Sequence, residues 1–298
     1  MRNVLTRGAL AAAVIATPAF AGTNALSEWN LIVRTNVTSS SEVDGSAIIG
    51  GNLSGTSNYA VQGVTALSGD GLAIGGNVLS GNIQVNNGGN LRLGGANSGT
   101  LNINGGVLIN DASVATSVSS IFSQLELASA YLASLPANGT VDGGGNMNAS
   151  PVLLGGQNVA IYNISAAAIQ SLGGLNLNFG SADSVIINVT SAAGVVDLIA
   201  PPNIIGGFNQ ANSSRILWNM PDATSLLVNN SFNGAVIAPF ADLVLSGGGM
   251  NGAVAVNSIS AQNAEIRNHV YNGYFQIPAP GAASLLGIAG LVALRRRR

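Results

Sequence analysis

In residues 29–110 apolar side chains come in short runs, some continuous and some alternating with polar ones, and the runs are set apart by Gly and Asn. Ser46-Ala47-Ile48-Ile49, Leu72-Ala73-Ile74, Asn82-Ile83-Gln84-Val85, Asn90-Leu91-Arg92-Leu93 and Leu101-Asn102-Ile103 are the clearest. Such runs, rich in Ile, Val and Leu and bounded by turn formers, predict short β-strands. The same signal returns at 151–154, 159–164 and 185–189, with a short helical turn at 166–172 that Gly173-Gly174 would end.

Pieces of the pattern repeat. Asp44-Gly45-Ser46-Ala47-Ile48-Ile49-Gly50-Gly51-Asn52 reappears about 25 residues later as Asp70-Gly71-Leu72-Ala73-Ile74-Gly75-Gly76-Asn77. Asn233-Gly234-Ala235-Val236-Ile237-Ala238 and Asn251-Gly252-Ala253-Val254-Ala255-Val256 are offset by 18 residues. A recurring unit of coil length predicts stacked coils, each laying its strand on the last with apolar residues inside. Gly and Asn would then serve corners that need positive φ. The fold expected is all-β, a right-handed parallel β-solenoid. The alternative, a β-sandwich, accounts for short strands and turns but not for the repeated unit.

One segment breaks the pattern. In 113–135, Val114, Val118, Ile121, Phe122, Leu125, Ala128, Leu132 and Leu135 fall three to four apart, between a cap at Asp111 or Ser113 and a stop at Pro136. This predicts one long amphipathic helix lying along the flank of the solenoid, with Ser117, Ser120, Gln124 and Glu126 toward water.

The two ends read differently from the middle. Arg2 and Arg7, an apolar run at 9–16 and the small residues Ala19 and Ala21 before Gly22 form a secretory signal peptide, residues 1–21. Its partners would be the Sec translocon and signal peptidase. At the other end Ile277-Pro278-Ala279-Pro280 precedes an uncharged stretch, 281–294, and then Arg295, Arg296, Arg297 and Arg298. As a helix that stretch would cover about 21 Å of a hydrocarbon core of roughly 30 Å, and the terminal arginines would stay on the cytoplasmic side. The domains expected are thus 1–21, 22–276 and 277–298.

Composition narrows the function classes. The 298 residues include 40 Gly and no Cys, with 47% hydrophobic and only 7% charged. The chain should fold, and it must do so without disulfides or thiolate-bound metal. Lys is absent, and between the two ends four arginines (Arg34, Arg92, Arg215, Arg267) face all twelve carboxylates, a net charge of −8. Nucleic acid is therefore not an expected partner.

Candidate chemistry is sparse. His269 is the only histidine, no Gly-x-Ser-x-Gly turn accompanies it, and one imidazole is too few for zinc. Asp44, Asp70 and Asp142 precede Gly in turn-rich segments and leave Ca²⁺ open as a cofactor, although neither an EF-hand nor a Gly-Gly-x-Gly-x-Asp repeat is present. No catalytic or cofactor-binding residue is assigned. Gly50-Gly51, Gly75-Gly76 and Gly94-Gly95 lack the setting of a nucleotide loop and read as corners. Trp29 and Trp218 sit beside apolar runs as core residues, with sugar stacking as the alternative.

Two resemblances extend this reading. The proline motif, short apolar stretch and arginine cluster resemble the PEP-CTERM type of bacterial sorting signal, with Ala279 where the commonest motif has Glu. That resemblance implies an exosortase-like enzyme as partner and contact with the membrane through the tail. Trp29-Asn30-Leu31-Ile32-Val33, Ser41-Glu42-Val43-Asp44-Gly45 and Ile49-Gly50-Gly51-Asn52 resemble the start of the choice-of-anchor A family of bacterial surface proteins. Arg215-Ile216-Leu217-Trp218-Asn219-Met220-Pro221-Asp222-Ala223, Gly234-Ala235-Val236-Ile237-Ala238-Pro239 and Ala264-Glu265-Ile266-Arg267-Asn268-His269 extend the resemblance over nearly the whole chain after the signal. In that family one domain is followed by different anchors, and some relatives are described as adhesins. The strands and flanking helix also resemble, in fold alone, the solenoid of bacterial ice-binding proteins. The function expected is a non-enzymatic adhesive or structural protein of the envelope, surface or matrix of a Gram-negative-type bacterium, binding exopolysaccharide or a surface protein. The alternatives are an exopolysaccharide hydrolase or lyase, with two acids within about 10 Å in a groove, and an ice-binding protein.

Overall fold

Runs that are apolar without interruption suit strands covered on both faces, and this is where they fall. The computed structural model describes residues 24–198 and 203–277. Eleven strands run along its main sheet: β1 (Leu31–Val33), β2 (Ala47–Ile49), β3 (Asp70–Ile74), β4 (Asn90–Leu93), β5 (Leu108–Asn110), β6 (Val152–Leu154), β7 (Gln157–Ser165), β8 (Ser184–Thr190), β9 (Ile216–Asn219), β10 (Ala235–Leu245) and β11 (Val254–Gln262). Helix α1 (Val114–Ser134) lies between β5 and β6 in the chain, and α2 (Ala166–Ser171) follows β7. The expected signal, with Ala19, Ala21 and Gly22, and the tail from Pro278 through Ala279 and Pro280 to Arg295, Arg296, Arg297 and Arg298 lie outside the described residues.

The sequence repeats are the register of the stack. Ala47 pairs with Leu72 and Ile49 with Ile74, while Val236 pairs with Val254 and Ala238 with Val256, all in parallel. After its main-sheet strand each coil turns onto a second face, as at Val37–Ser39 beside Leu53–Ser54, and a third, as at Glu42–Val43 beside Ser57–Tyr59. The result is a three-sided parallel β-solenoid. Leu31, Ile49, Leu53, Tyr59, Val236 and Leu243 fill its interior.

The order of strands in space is β5-β4-β3-β2-β1-β11-β10-β9-β8-β7-β6. The chain therefore starts in the middle of the stack, climbs to β5, crosses to the opposite end and coils back until β11 pairs with β1, Leu31 opposite Val254. Asn30, fully buried, staples that seam: its Nδ2 donates to the carbonyls of Gly252 and Arg267, at 3.1 and 2.9 Å, and its Oδ1 accepts from Gly45 N–H at 3.0 Å. At the far end β6 turns antiparallel to β7 and closes the stack.

Helix α1 makes the crossing. Its 21 residues give about 31 Å, and the six strand spacings from β3 to β8 come to about 29 Å. It covers the main sheet with Val118, Phe122 and Leu125 over Ile32, Ile48, Ile186, Leu217 and Ile237. Three polar contacts fix it. At its start Arg92 bridges Asp70 and Asp111, 3.0 Å from each, and Asp111 accepts from the N–H and hydroxyl of Ser113, which holds the N-cap position without a side-chain cap bond of its own. In the middle Glu126, expected toward water, pairs with Arg34, whose guanidinium also lies 4.6 Å from the Phe122 ring centre. Toward its end Asn219 donates to the Ser129 carbonyl at 2.9 Å and Asn188 to that of Leu132 at 3.0 Å. Asn163, Asn188 and Asn219 are themselves linked as a ladder across β7, β8 and β9.

Two local expectations need correction. The corners at Gly50-Gly51, Gly75-Gly76 and Gly94-Gly95 do not use positive φ, which appears instead at Gly55 and Gly81, with φ of 98° and 91°. What the first set requires is the missing side chain: a Cβ on Gly75 would lie 2.5 Å from the Gly50 carbonyl oxygen and 2.8 Å from Ala115 of α1. The α2 helix is not ended by Gly173-Gly174 in a left-handed cap. Leu172 is already extended and feeds the next strand directly.

Gly75→Ala is expected to cost roughly 1–3 kcal/mol by overpacking, read from urea midpoints, while Gly173→Ala, with open space around it, stays near wild type. Asn219→Ala leaves the buried Asn188 and Ser129 short of partners and should cost about 1–3 kcal/mol in the same assay. Hydrogen bonds from Ser113, with Arg92 adding to them, hold the Asp111 carboxyl below its ordinary value of 3.8. The stability it contributes is complete above that value and is lost as pH falls through the lower folded one. The difference in unfolding midpoint between wild type and Asp111→Asn should accordingly be constant near neutrality and vanish in acid.

Candidate functional site

A binding surface must be a face that the protein does not use itself. The main-sheet face is taken by α1 and by the terminal segments: Leu26, Trp29, Tyr271 and Tyr274 join its apolar cluster, and Tyr271 N–H donates to the Leu26 carbonyl at 2.8 Å. The third face is divided between a seven-stranded and a four-stranded sheet. The 3-10 segment Gln210–Arg215 packs against it beside Phe232–Asn233. Its outward positions are mainly amides, among them Asn58, Gln84 and Asn102, in register from coil to coil.

The second face is continuous. From Leu53–Ser54 and Val37–Ser39 it passes through the second halves of β11 and β10 to Ser225–Val228 and Val195–Leu198, and α2 packs at its end. Val37, Leu53, Ile259, Leu243, Leu226 and Val196 point into the core. By the alternation of a strand, Thr38, Ser54, Val244, Leu227 and Asp197 form one outward column, interrupted on β11 by a bulge at Ser260 and Ala261, and Ser258, Asp242, Ser225 and Val195 form a second. The hydroxyls of Thr38 and Ser54 are 3.2 Å apart, and Asp242 accepts from the hydroxyls of Ser258 and Ser260 at 2.7 and 2.5 Å. Leu79, 51% exposed, and Val195, 42% exposed, add apolar area toward its two ends. These outward columns carry mostly short side chains, two carboxylates, Asp242 and Asp197, and no arginine.

The residues singled out in the sequence are placed as follows. Trp218 is a core residue, stacked on Phe208 at 5.3 Å and tilted against Phe232 at 4.9 Å, and its indole N–H donates to the Asn233 carbonyl. Trp29 packs beneath α1 with 8% exposure. His269 Nε2 lies 3.2 Å from the Gln210 amide nitrogen, with its pKa lowered by burial against the opposing influence of Asp44. Asp44, Asp70 and Asp142 are not brought together. Asp44 accepts from Asn268 N–H, Asp70 binds Ser68 and Arg92, and Asp142 accepts from the Gly144 and Asn146 N–H groups. Among the described residues no group of three His, Asp or Glu could hold a metal ion. Among the described residues Asp70 and Asp111 meet through Arg92, but a general acid needs a raised pKa and that of Asp111 is lowered. Ile277, first residue of the expected sorting motif, is buried in the domain. No helix of the described residues is long and apolar enough to cross a membrane.

The outward columns of the second face were not legible as a site, because Ser and Thr at alternate positions also mark any exposed strand. The family model described as "Putative Ice-binding-like adhesive domain" matches residues 22–268. Among solved structures, the ice-binding protein from the Antarctic ascomycete Antarctomyces psychrotrophicus is similar over 86% of this chain and 100% of its own, at 16% identity and a TM-score of 0.37. No curated protein sequence matches. The family match runs from before the first coil to the final strand pair of the solenoid, and the chain belongs to the ice-binding-like adhesive domain family.

Proposed function

We propose that this chain is a non-enzymatic adhesive module displayed outside the cell, docking onto an extended partner with the second face of its solenoid. The observation that carries the proposal is that, among the described residues, this face runs from Leu53–Ser54 to Val195–Leu198 without a covering element, with mostly short outward side chains that let a flat or polymeric partner approach the sheet. Membership of the adhesive family supports it. A net charge of −8 between the two ends favours a neutral partner, such as an uncharged exopolysaccharide, over a polyanion.

In this reading residues 1–21 direct export, with cleavage between Ala21 and Gly22, and Ile277, Pro278, Ala279 and Pro280 with the terminal arginines serve sorting or anchoring. The choice-of-anchor A and PEP-CTERM resemblances belong to the same proposal, as do the translocon, signal peptidase and exosortase-like partners. Ice binding is the second reading. Hydroxyls interleaved with Leu79, Val195, Val244 and Leu227 favour it, while the Asp242 carboxylate among Ser258 and Ser260 places a strongly hydrated group on that face.

Thr38→Tyr combined with Ser260→Tyr should leave the melting temperature unchanged, since both positions are exposed. Retention on matrix polysaccharide extracted from the producing cells should fall by about tenfold or more, equivalent to about 1.4 kcal/mol. Asn58→Tyr on the third face should bind as wild type. The reverse pattern would sink the docking face. Partition into slowly growing ice, lost in the same double variant while polysaccharide retention is absent throughout, would establish the second reading instead.

A further inference from the structure

Where α1 begins, beside the strands that carry Ile48, Asp70 and Arg92, lies a cleft of about 290 Å³. Its lining is divided. Trp29, Ile48 and Ile121 supply apolar walls, and Arg92, Asp111 and Ser117 a polar side. Asp70 lies behind Arg92 with only 3% of its side chain exposed, whereas the side chains of Arg92 and Asp111 are 26% and 28% exposed. The arrangement therefore holds a guanidinium and a carboxylate in place at the surface of a cleft that Trp29 also borders. It lies under α1, apart from Thr38 and Ser260 on the second face.

We propose that this cleft binds a single neutral sugar ring, the terminal or branch residue of a glycan. The volume sits at the low end for small-molecule sites, which are roughly 300–1,000 Å³, and suits one ring better than a chain. A pyranose has an apolar C–H face for Trp29 and Ile121, and a rim of hydroxyls that both donate and accept. Asp111 is an acceptor, Arg92 a donor, and the Ser117 hydroxyl, which donates to the Ser113 carbonyl, a second acceptor. Two carboxylates against one guanidinium leave the site with net charge −1, so uronic or sulfated sugars are disfavoured. Asp70 and Arg92 fix one another, so the polar groups are ordered before the ligand arrives.

The test uses the tryptophans. Trp29 borders the cleft, and Trp218 is 1% exposed in the core, so an emission change on adding a small sugar reports the cleft. Glucose, galactose, mannose, N-acetylglucosamine and glucuronate would each be titrated into the purified protein, followed by emission and by calorimetry. The expected result is saturation by at least one neutral sugar, with a Kd on the order of 1 mM for a ligand of this size. Binding should weaken at least tenfold in Ser117→Phe, which fills the cleft from an exposed helix position, and persist in the Thr38→Tyr, Ser260→Tyr variant. The idea fails if none of the four neutral sugars gives saturable emission or heat, if Ser117→Phe, folded by circular dichroism, binds as wild type, or if glucuronate binds as well as the best neutral sugar. Loss in the second-face variant with retention in Ser117→Phe would move the sugar to that face, overturning the cleft while leaving the adhesive reading intact.

Discussion

The structure depends on one pairing, that of β1 with β11. A parallel coil exposes a row of unpaired backbone groups on each side until the next coil arrives, and β1 receives one neighbour, β2, almost at once. Its other edge is filled only when Val254 reaches Leu31. Loop-closure entropy must be met before that contact forms, and long-range parallel pairing is slow for the same reason. Asn30 concentrates the specificity of the seam, because its amide bonds join Gly45 on one side to Gly252 and Arg267 on the other. No simple apolar residue could satisfy those three backbone groups.

Helix α1 follows from the same constraint. A chain that starts mid-stack must be carried past its own first coils, and a helix does this with every internal backbone group satisfied while burying an apolar stripe on the sheet. The three polar contacts along it are unequal in kind. The Arg92 and Arg34 pairs are partly exposed and of modest strength in solvent. The contacts from Ser129 and Leu132 to Asn219 and Asn188 are buried, and breaking them would strand polar groups away from water. Once α1 occupies the main sheet, that face is closed to an extended partner, and the choice of docking surface for one narrows to the two that remain.

Much of this was legible in the sequence, and the exceptions have physical causes. Residues 47–49, 72–74 and 185–187 read as strands because burial on both sides removes polar positions altogether. The 25- and 18-residue repeats gave the register, since stacked coils place equivalent residues opposite one another. The order of the two half-stacks was hidden, because a repeat offset is the same whichever half lies on the other. Glu126 looked solvated because its partner, Arg34, lies far away in sequence. The Asn163, Asn188 and Asn219 ladder had a signal that went unused: each Asn follows a large residue, Tyr162, Ile187 or Trp218, at the same place in its coil. At Gly75 the composition pointed to the right residue for the wrong reason, since what the corner excludes is a Cβ and not a negative φ.

The same stacking explains how a face with so few charged or aromatic groups could hold a partner. Each outward residue of the second face, Thr38, Ser54, Ser260 or Val244, offers little on its own, and a flexible strand would lose more in ordering than such contacts return. In the solenoid the ordering is already complete, because inward neighbours such as Val37, Leu53, Ile259 and Leu243 are buried in a shared core and their strands pair in parallel from coil to coil. Repetition then does what a single strong group does elsewhere, since an extended partner that matches one strand spacing meets several coils at once and its separate contacts act together. Short side chains serve this better than long ones, having little rotamer freedom to lose. The main-sheet face could not do the same, because the Ile and Val that would supply its contacts are already spent holding α1.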